Sequence, residues 1–437
     1  MQKTLTPGAP QVRASAFAGL GLHTDLMRAV GELGFERPTA VQADAIPLAL
    51  AGRDVLASAS TGSGKTAAFA LPVLHRLRTM PRGVTRALVL VPTRELAAQV
   101  VDHFRQLARH TRLRVAPVYG GVGMRPQEES FRRGVEVIVA TPGRLLDHMQ
   151  YNYANLSNVS ILVLDEADRM LDMGFLPAIR RVLEHLPPGA RQTLFFSATM
   201  PAPIVALARD LLVQPATVEV ERKATPAHGI THALYAVPSN LKVALLIELL
   251  HRGDVGNAIV FCRTKHRANR VFEKLVRAGV ACERIHGNRS QVQRTKALAG
   301  FKDGTCRVLV ATDIVARGID VTALEHVINF DVPNGADDYI HRVGRTARAD
   351  ATGDAYTLVA PEEESTVRDI ERSLGRPIER RTVPGFDSRT VPGERLEVPI
   401  RERIARSRAA RAPAPPAAGA PGRLPPRRGR GRRWNAA

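Results

Sequence analysis

Short, continuous runs of Val, Ile and Leu recur along the chain, and each is followed by a polar or glycine-containing turn and a helix-like stretch. Such runs predict strands buried on both faces, so their alternation with helices predicts a parallel sheet with helices on both sides. Ligands bind sheets of this kind beyond the carboxyl ends of the strands. The first series comprises residues 54–57, 87–91, 135–140 and 161–164.

A second series of apolar runs follows a polar stretch with Pro226 and Gly229, and comprises residues 258–261, 307–311 and 326–330. The chain therefore predicts two α/β domains, at residues 16–222 and 223–386, after an N-terminal extension of residues 1–15. No repeat of fixed period is visible. Residues 387–437 are rich in Arg, Pro, Gly and Ala. Because this composition buries too little apolar surface to offset the entropy of ordering, we expect a disordered basic tail.

The 437-residue chain carries a formal net charge of +20, and about half of it comes from eleven arginines between Arg401 and Trp434. A strongly basic surface neutralises phosphates and releases counterions, so a polyanionic partner is favoured. The three cysteines show no C-x-x-C spacing and are interpreted as reduced thiols. No apolar run is long enough to span a bilayer and no leader is recognisable, so we expect a soluble cytoplasmic protein without membrane partners.

Residues 59–66 read Ala-Ser-Thr-Gly-Ser-Gly-Lys-Thr between a predicted strand and a predicted helix. Glycines let backbone N–H groups surround phosphate oxygens, the lysine reaches the outer phosphates, and the threonine binds Mg²⁺. Ala59 stands where the general phosphate-loop pattern has glycine, and a chance glycine-rich turn is the alternative. The predicted nucleotide-binding residues of the loop are Ser60, Thr61, Gly62, Ser63, Gly64, Lys65 and Thr66.

The apolar run 161–164 leads into Asp165, Glu166, Ala167 and Asp168. A carboxylate at the carboxyl edge of the sheet lies beside the phosphate loop, where Asp165 can hold Mg²⁺ with Thr66 and Glu166 can orient or deprotonate the attacking water. Taken alone, four such residues after a strand are equally typical of the acidic first turn of a helix.

The letters D-E-A-D, with Ser197-Ala198-Thr199 further along and the phosphate loop upstream, resemble the DEAD-box family of ATP-dependent RNA helicases. The resemblance extends from Phe17 to about Ile378, and residues 169–175 and 285–288 look most like the bacterial RhlE-type branch. It implies two tandem RecA-like domains, each a parallel sheet with helices on both faces. It also implies RNA-stimulated ATP hydrolysis, with ATP and Mg²⁺, coupled to domain closure and local unwinding of short RNA duplexes.

Further nucleotide contacts follow from the same resemblance. Gln42 would read the adenine edge, because an amide donates and accepts at once, Phe17 would stack on the base, and Phe35 would also contact the nucleotide. Gly318 and Asp320 would lie near the ribose. Without the resemblance, the residues alone favour a surface helix position for Gln42 and a core position for Phe17.

The second half contains Arg342, Arg345 and Arg348 at spacings of three, consistent with one basic face of a helix. The resemblance assigns Arg345 and Arg348 to the γ-phosphate, where an arginine finger typically contributes ~10³–10⁵ in rate. A solvated basic face is the alternative. The residues expected to couple the catalytic acids to the second domain are Asp168, Ser197, Thr199 and His341.

Several further segments that resemble the family carry groups suited to binding the sugar–phosphate backbone of RNA without contacts to the bases. The predicted RNA-binding residues are Arg94, Gly121, Thr141, Arg144, Gln291, Arg294 and Thr312. Each could instead be an ordinary turn or helix cap. The Arg/Gly tail that ends in Trp434 is typical of single-strand binders.

Departures from the family pattern are Ser60 for a usual Gln, Ala347 for a common Gly and Val315 for a common Ala, and none removes a reacting group. The expected partner is RNA, single-stranded or in short duplexes, and the resemblance extends this to ribosomal or RNA-decay assemblies. Two rival functions remain open: a DNA-directed helicase or translocase of the same superfamily, and an RNA-clamping or annealing protein.

Overall fold

The computed structural model describes residues 16–59, 62–187, 191–219, 229–313, 324–346 and 352–386. The first half of this part folds around a seven-stranded, fully parallel sheet with strand order β3-β4-β2-β5-β6-β1-β7. Its strands are β1 (Val55–Ser58), β2 (Ala87–Leu90), β3 (Val115–Val118), β4 (Val137–Ala140), β5 (Ile161–Leu164), β6 (Gln192–Ser197) and β7 (Ala216–Glu219).

Helices cover both faces of this first sheet. Successive residues of a strand point to opposite faces, so Val163 joins one hydrophobic cluster and Leu162 and Leu164 join the other. The helices are α1 (Thr24–Glu32), α2 (Ala40–Leu50), α3 (Lys65–Leu77), α4 (Arg94–Leu107), α5 (Arg125–Arg132), α6 (Pro142–Met149), α7 (Ala167–Asp172), α8 (Leu176–Glu184) and α9 (Ala202–Leu211), after a 3₁₀ turn at Ala16–Leu20.

The second half folds around another seven-stranded parallel sheet, with order β10-β11-β9-β12-β13-β8-β14. Its strands are β8 (Ile230–Ala236), β9 (Ala258–Cys262), β10 (Cys282–Ile285), β11 (Val308–Thr312), β12 (His326–Asn329), β13 (Gly353–Val359) and β14 (Glu379–Arg381). Its helices are α10 (Lys242–His251), α11 (Lys265–Arg277), α12 (Gln291–Lys302), α13 (Ala336–Val343) and α14 (Glu364–Leu374), with a 3₁₀ turn at Pro361–Glu363.

The two sheets have the same strand order when each is numbered from its own first strand. The predicted fold class, two tandem parallel sheets with helices, is confirmed. The predicted extension of residues 1–15, the predicted boundary at residue 222 and the predicted tail of residues 387–437 all lie outside the described residues.

The strand order also decides where the first domain gathers its polar residues. Strands β5, β6 and β1 are neighbours, and their last residues are paired in register or nearly so, as with Ser58 and Ser197. The loops after these three strands therefore meet at one edge of the sheet. Those loops carry the phosphate loop, the Asp165–Asp168 segment and the Ser197–Thr199 segment.

The three cysteines are free thiols, and two of them, Cys262 and Cys306, are buried. Within the described ranges, no helix is both long and apolar enough to cross a membrane.

Candidate active site and nucleic-acid interface

The phosphate loop ends where α3 begins at Lys65. Gly62 and Gly64 have φ angles of 85° and 90°, a left-handed conformation that favours glycine. Lys65 is 6% exposed, and its ammonium donates to the Ala59 carbonyl at 2.9 Å, so the side chain folds back into the loop. Thr66, in the first turn of α3, is half-buried. Ser60 and Thr61 lie outside the described residues.

Gln42 connects α2 to the phosphate loop. Its amide oxygen accepts from the Thr39 backbone N–H at 3.0 Å, and its amide nitrogen donates to the Gly64 carbonyl at 3.0 Å. A Cβ at position 64 would lie 2.4 Å from Gln42 Nε2, and the φ of 90° is strained for any other residue, so this position favours glycine. An amide has two hydrogens and its oxygen two lone pairs, which leaves Gln42 one donor and one acceptor position for a ligand.

Phe17 is completely buried in the core, with its ring centroid 6.3 Å from that of Phe35. A fully covered ring presents no face to a base, so the stacking role predicted for Phe17 disagrees with its position. Phe35 is the partly exposed member of the pair and packs edge-on against His103 at 6.1 Å.

Asp165 and Glu166 are both buried at the end of β5. Burial raises the pKa of Asp165, against the opposing charge of Lys65, and its Oδ1 has no hydrogen-bond partner in the described part of the chain. Glu166 has a left-handed φ of 53° and accepts from Arg169 Nη1 at 2.9 Å. Burial alone would raise its pKa, but the charges of Arg169, Lys65 and Arg345 together hold that pKa below its usual value.

Asp168 joins the acidic segment to the loop after β6. Its Oδ2 accepts from the Thr199 backbone N–H at 2.7 Å and from the Thr199 hydroxyl at 2.9 Å. The Ser197 hydroxyl accepts from the Asp168 backbone N–H at 3.2 Å and donates to the Thr199 carbonyl at 2.7 Å. The structure thus brings together three of the residues predicted to couple the site.

Helix α13 ends at Val343, so the prediction that Arg342, Arg345 and Arg348 share one helical face is wrong. Arg342 is buried inside the second domain, where it forms two hydrogen bonds to Asp313 at 2.5 and 2.8 Å. Arg345 follows the helix and donates to the His341 carbonyl at 3.2 Å. Its charge acts on Glu166, so the two domains contribute to one electrostatic site. Gly318, Asp320 and Arg348 lie outside the described residues.

Gln291 and Arg294, both predicted to bind RNA, instead contact the first domain. Gln291 Nε2 donates to Glu95 Oε1 at 3.2 Å, and Arg294 Nη2 donates to Glu95 Oε2 at 2.5 Å. All three side chains are buried. A buried amide and guanidinium that both bind a carboxylate hold two domains together, so the direct RNA role predicted for these two residues disagrees with their position. Sequence reasoning missed Glu95 because its partners are 196 and 199 residues away.

The other predicted RNA-binding residues of the first domain lie at one edge of the sheet. The Arg94 guanidinium lies so close to Gly121, whose φ is 83°, that a Cβ there would be 2.0 Å from Arg94 Nη1. Arg144 Nη2 donates to the Val122 carbonyl at 3.2 Å, and buried Thr141 is the N-cap residue of α6. In the second domain, Thr312 is buried at the end of β11.

A phosphate loop, a buried pair of carboxylates and an arginine from a second, similarly built domain define a two-domain nucleotide hydrolase. Two protein-family models match this chain. Residues 39–207 match the model of the DEAD/DEAH box helicase family, and residues 241–350 match the helicase conserved C-terminal domain.

Relatives agree with this assignment. The chain is 43% identical to the DEAD-box ATP-dependent RNA helicase CshA of Bacillus subtilis over 82% of this chain and 72% of that protein. It is also 43% identical to the RNA helicase CrhR of Synechocystis over 82% of this chain and 73% of that protein. The chain belongs to the DEAD-box family of ATP-dependent RNA helicases.

Solved structures resemble the fold over both sheets. A structure of Dbp5 from S. cerevisiae bound to RNA and ADP BeF3 matches with a TM-score of 0.77 and 30% identity, over 84% of this chain and 96% of that one. Mss116 bound to ssRNA and UDP-BeF matches with a TM-score of 0.77 and 26% identity, over 87% and 82% of the two chains.

Proposed function

We propose that this chain hydrolyses ATP at a site completed by both domains, that RNA favours the closed arrangement, and that closure separates short RNA duplexes. One observation carries the proposal: Glu166 is buried at the end of β5 and accepts from Arg169 of its own domain at 2.9 Å, and against the effect of burial the charges of Arg169, Lys65 and Arg345, the last from the second domain, lower its pKa. A carboxylate that must accept a proton from water depends on its ionised form. Its environment therefore changes when the second domain moves.

ATP binds with its phosphates at the N-terminus of α3. The glycine-rich backbone before α3 offers its N–H groups to the phosphate oxygens, and Lys65 exchanges its bond to the Ala59 carbonyl for the outer phosphates. Gln42 contacts adenine with the amide positions that Thr39 and Gly64 do not use, and the partly exposed ring of Phe35 lies beside the base. Gly318 and Asp320 stay predictions for the ribose.

Thr66 would bind Mg²⁺, and Asp165 would hold the same ion through water. A hydroxyl and a carboxylate oxygen are ligands that this ion prefers, and Asp165 Oδ1 is a buried oxygen without a hydrogen-bond partner in the described part of the chain. The raised pKa of Asp165 reflects the same burial and would fall beside a cation. Bound there with ATP, the ion would neutralise phosphate charge that develops during transfer.

Glu166 orients the attacking water and takes its proton, while Arg345, and Arg348 by family resemblance, neutralise charge on the γ-phosphate. Asp168, Ser197 and Thr199 fix the acids to the loop after β6 through the hydrogen bonds around Asp168, and in this proposal they couple the acids to the second domain. His341 takes part through its carbonyl, which accepts from Arg345. Closure of the two domains therefore completes the catalytic site.

RNA binds along Arg94, Gly121, Thr141 and Arg144 of the first domain and continues to Thr312 of the second. Dbp5 and Mss116, which are similar in fold, were solved with RNA and with ssRNA bound. A ligand that contacts both domains favours the closed state by its greater affinity for that state. Gln291 and Arg294 contribute indirectly, because they fix Glu95 next to Arg94.

Three finer assignments remain predictions. Membership of the RhlE-type branch rests on residues 169–175 and 285–288. A cytoplasmic location is supported by three cysteines that form no disulfide. Association with ribosomal or RNA-decay assemblies rests on the family resemblance alone. The boundaries at residues 15, 222 and 386 are likewise proposed.

An ATPase assay without nucleic acid, with RNA and with DNA tests the proposal, together with strand separation of a short RNA duplex. RNA should stimulate hydrolysis far more than DNA does. Equal stimulation by DNA would favour a DNA-directed motor, and RNA stimulation without strand separation would favour a clamp.

Two variants separate binding from chemistry in this assay. Lys65→Ala should lose ATP binding and hydrolysis together. Glu166→Gln should bind ATP normally but hydrolyse it about 10²–10⁴-fold more slowly, and so remain on RNA. Normal turnover by Glu166→Gln would refute the assigned base.

A further inference from the structure

Two tyrosines form an exposed stacked pair just beyond α6, and we call Tyr151 and Tyr153 the tyrosine platform. Their ring centroids are 5.4 Å apart and their planes differ by 7°. Tyr151 is 53% exposed although one face of its ring lies on Tyr153. An aromatic ring held parallel by a neighbour, with much of its surface open to solvent, is well suited to stack on a further flat group.

The platform forms one wall of an open depression of about 670 Å³. This volume lies in the range typical of ligand sites. The residues that line it are Met124, Glu128, Arg132, Tyr151, Asn152 and Tyr153. The Arg132 guanidinium carbon is 5.2 Å from the centroid of the Tyr153 ring, and Arg132 also forms an exposed ion pair with Glu128 one helical turn away.

Hydrogen bonds connect the platform to the glycine loop of the RNA-binding edge. Gln127 Nε2 donates to the carbonyls of Tyr119 and Gly123, on either side of Gly121. The amide oxygen of the same Gln127 lies 3.3 Å from His148 Nε2, and His148 Nδ1 lies 3.0 Å from the Tyr153 hydroxyl.

The direction of these bonds follows from the groups involved. An amide oxygen only accepts, so His148 carries its hydrogen on Nε2, and its Nδ1 accepts from the Tyr153 hydroxyl. Burial lowers the pKa of His148, which keeps this neutral form. Gln127 therefore positions the glycine loop directly and orients the Tyr153 ring through His148.

Arg144 lies between the glycine loop and the platform. It donates to the Val122 carbonyl beside the loop and pairs with Asp147, while Arg132 pairs with Glu128, and the charges of Glu128, Arg132 and Arg144 all act on Tyr153. Since this charge is mixed, stacking rather than charge would hold a base here, and phosphates that follow Arg94, Gly121 and Arg144 would bring the attached bases to the depression.

We infer that the tyrosine platform stacks one unpaired base of the RNA strand as the strand leaves the Gly121–Arg144 edge. The inference rests on the proposed function, because it needs RNA on that edge. Every base has a π face, so the platform would accept any base and would favour single strands over duplexes, whose bases are already stacked. Asn152, which lines the depression, supplies an amide for the base edge.

Equilibrium binding of labelled single-stranded RNA to the full-length chain with AMP-PNP tests the inference. Tyr151→Ala should bind about fivefold or more weakly, because base–aromatic stacking is worth ~1–3 kcal/mol, while Tyr151→Phe and Tyr151→Trp should bind like the parent. The salt dependence should not change, since every phosphate contact is kept. Val213→Ala, at another exposed apolar side chain of the first domain, is the matched control.

A second measurement reports stacking directly. A series of RNAs carries 2-aminopurine at successive positions. The parent and Tyr151→Phe should quench the 2-aminopurine fluorescence at one of these positions, and Tyr151→Ala should quench it at none. Stepwise shortening of the strand from the end near that position should abolish the difference between parent and Tyr151→Ala. The ATPase rate at saturating RNA should be the same in both.

The outcomes distinguish this inference from the proposed function. If RNA fails to stimulate the parent ATPase, the proposed function itself is wrong. If RNA stimulates the parent but Tyr151→Ala binds strands of every length as tightly, the platform binds no base and the inference is overturned. An equal loss of affinity for short and long strands would also overturn it, because the platform would then only support the glycine loop.

Discussion

Arg294 of the second domain donates a hydrogen bond to Glu95 of the first, with 2.5 Å between Nη2 and Oε2 and with side chains only 7% and 4% exposed. Removing one member of a buried ion pair leaves the other charge without a partner, which typically costs several kcal/mol. In the open arrangement both groups can return to water. The Arg294–Glu95 pair therefore favours the closed arrangement, and loss of either member should favour the open one.

Glu95→Ala should raise the RNA concentration needed for half-maximal ATPase by about tenfold or more, while ATP binding stays unchanged. Asp102→Ala on the same helix is the control, because Asp102 belongs to an exposed pair with Arg105. Interdomain fluorescence transfer measures closure directly. Closure of Glu95→Ala at the parent's RNA concentration would contradict a role for this pair.

Arg169 favours the ionised form of Glu166. Since the Arg169 charge lowers the pKa of Glu166, Arg169→Ala should raise that pKa and move the acidic limb of the kcat profile to higher pH. The loss should be largest at low pH and shrink as pH rises. Arg169→Lys keeps a positive charge and should retain most of the parent profile. An acidic limb that does not move in Arg169→Ala would mean that the limb reports another group.

Gly64→Ala should weaken ATP binding, because its Cβ would lie 2.4 Å from Gln42 Nε2 and because the φ of 90° is strained for any other residue. Gly31→Ala in α1 is the matched control, since a Cβ there meets nothing within 4 Å. Titration with a fluorescent ATP analogue gives the affinities. Equal affinities for the two variants would show that the loop adjusts freely.

Arg342 should matter for stability more than for chemistry. Arg342→Ala leaves the Asp313 carboxylate without its two hydrogen bonds and removes donors to Asn329 and to the Asp331 carbonyl. A loss of ~3 kcal/mol corresponds to roughly 6–12 °C in the melting temperature of a domain of this size. Calorimetry should find the transition of the second domain lowered and that of the first unchanged. A drop of both transitions would indicate that the domains unfold together.

The basic C-terminal segment should add affinity without adding chemistry. Deleting the residues after Asp387 removes the eleven arginines between Arg401 and Trp434. RNA binding should weaken, and its log–log salt slope should flatten by about 0.7 for each phosphate that the segment no longer neutralises. The rate of ATP hydrolysis at saturating RNA should stay the same. An unchanged salt slope would mean that this segment does not touch RNA.

The central strands could be predicted from sequence because they are buried on both faces. Residues 161–164 read as four apolar residues before an acid, and β5 spans Ile161–Leu164 in the structure. The edge strands carry no such signal. β10 reads Cys-Glu-Arg-Ile and is only partly buried, and β3 contains Pro117, so neither forms a continuous apolar run.

Site residues could be predicted from sequence where a single segment contains the whole motif. They could not be predicted where two distant segments come together only in the fold. The phosphate loop and Asp165 to Asp168 are local patterns. Glu95 has partners nearly two hundred residues away, and nothing in its own segment indicates them. The position of Arg345 beyond a helix had a usable signal in Gly344, since glycine commonly follows the last turn.

A short connection joins the two sheets of shared strand order. Glu219 ends the last strand of the first sheet and Ile230 begins the first strand of the second, so ten residues tether two similarly wound halves. A short tether gives its ends an effective concentration on the order of millimolar. Assembly of the hydrolytic site is therefore a first-order event, and turnover per molecule should not fall on dilution as it would for an enzyme whose halves are separate subunits.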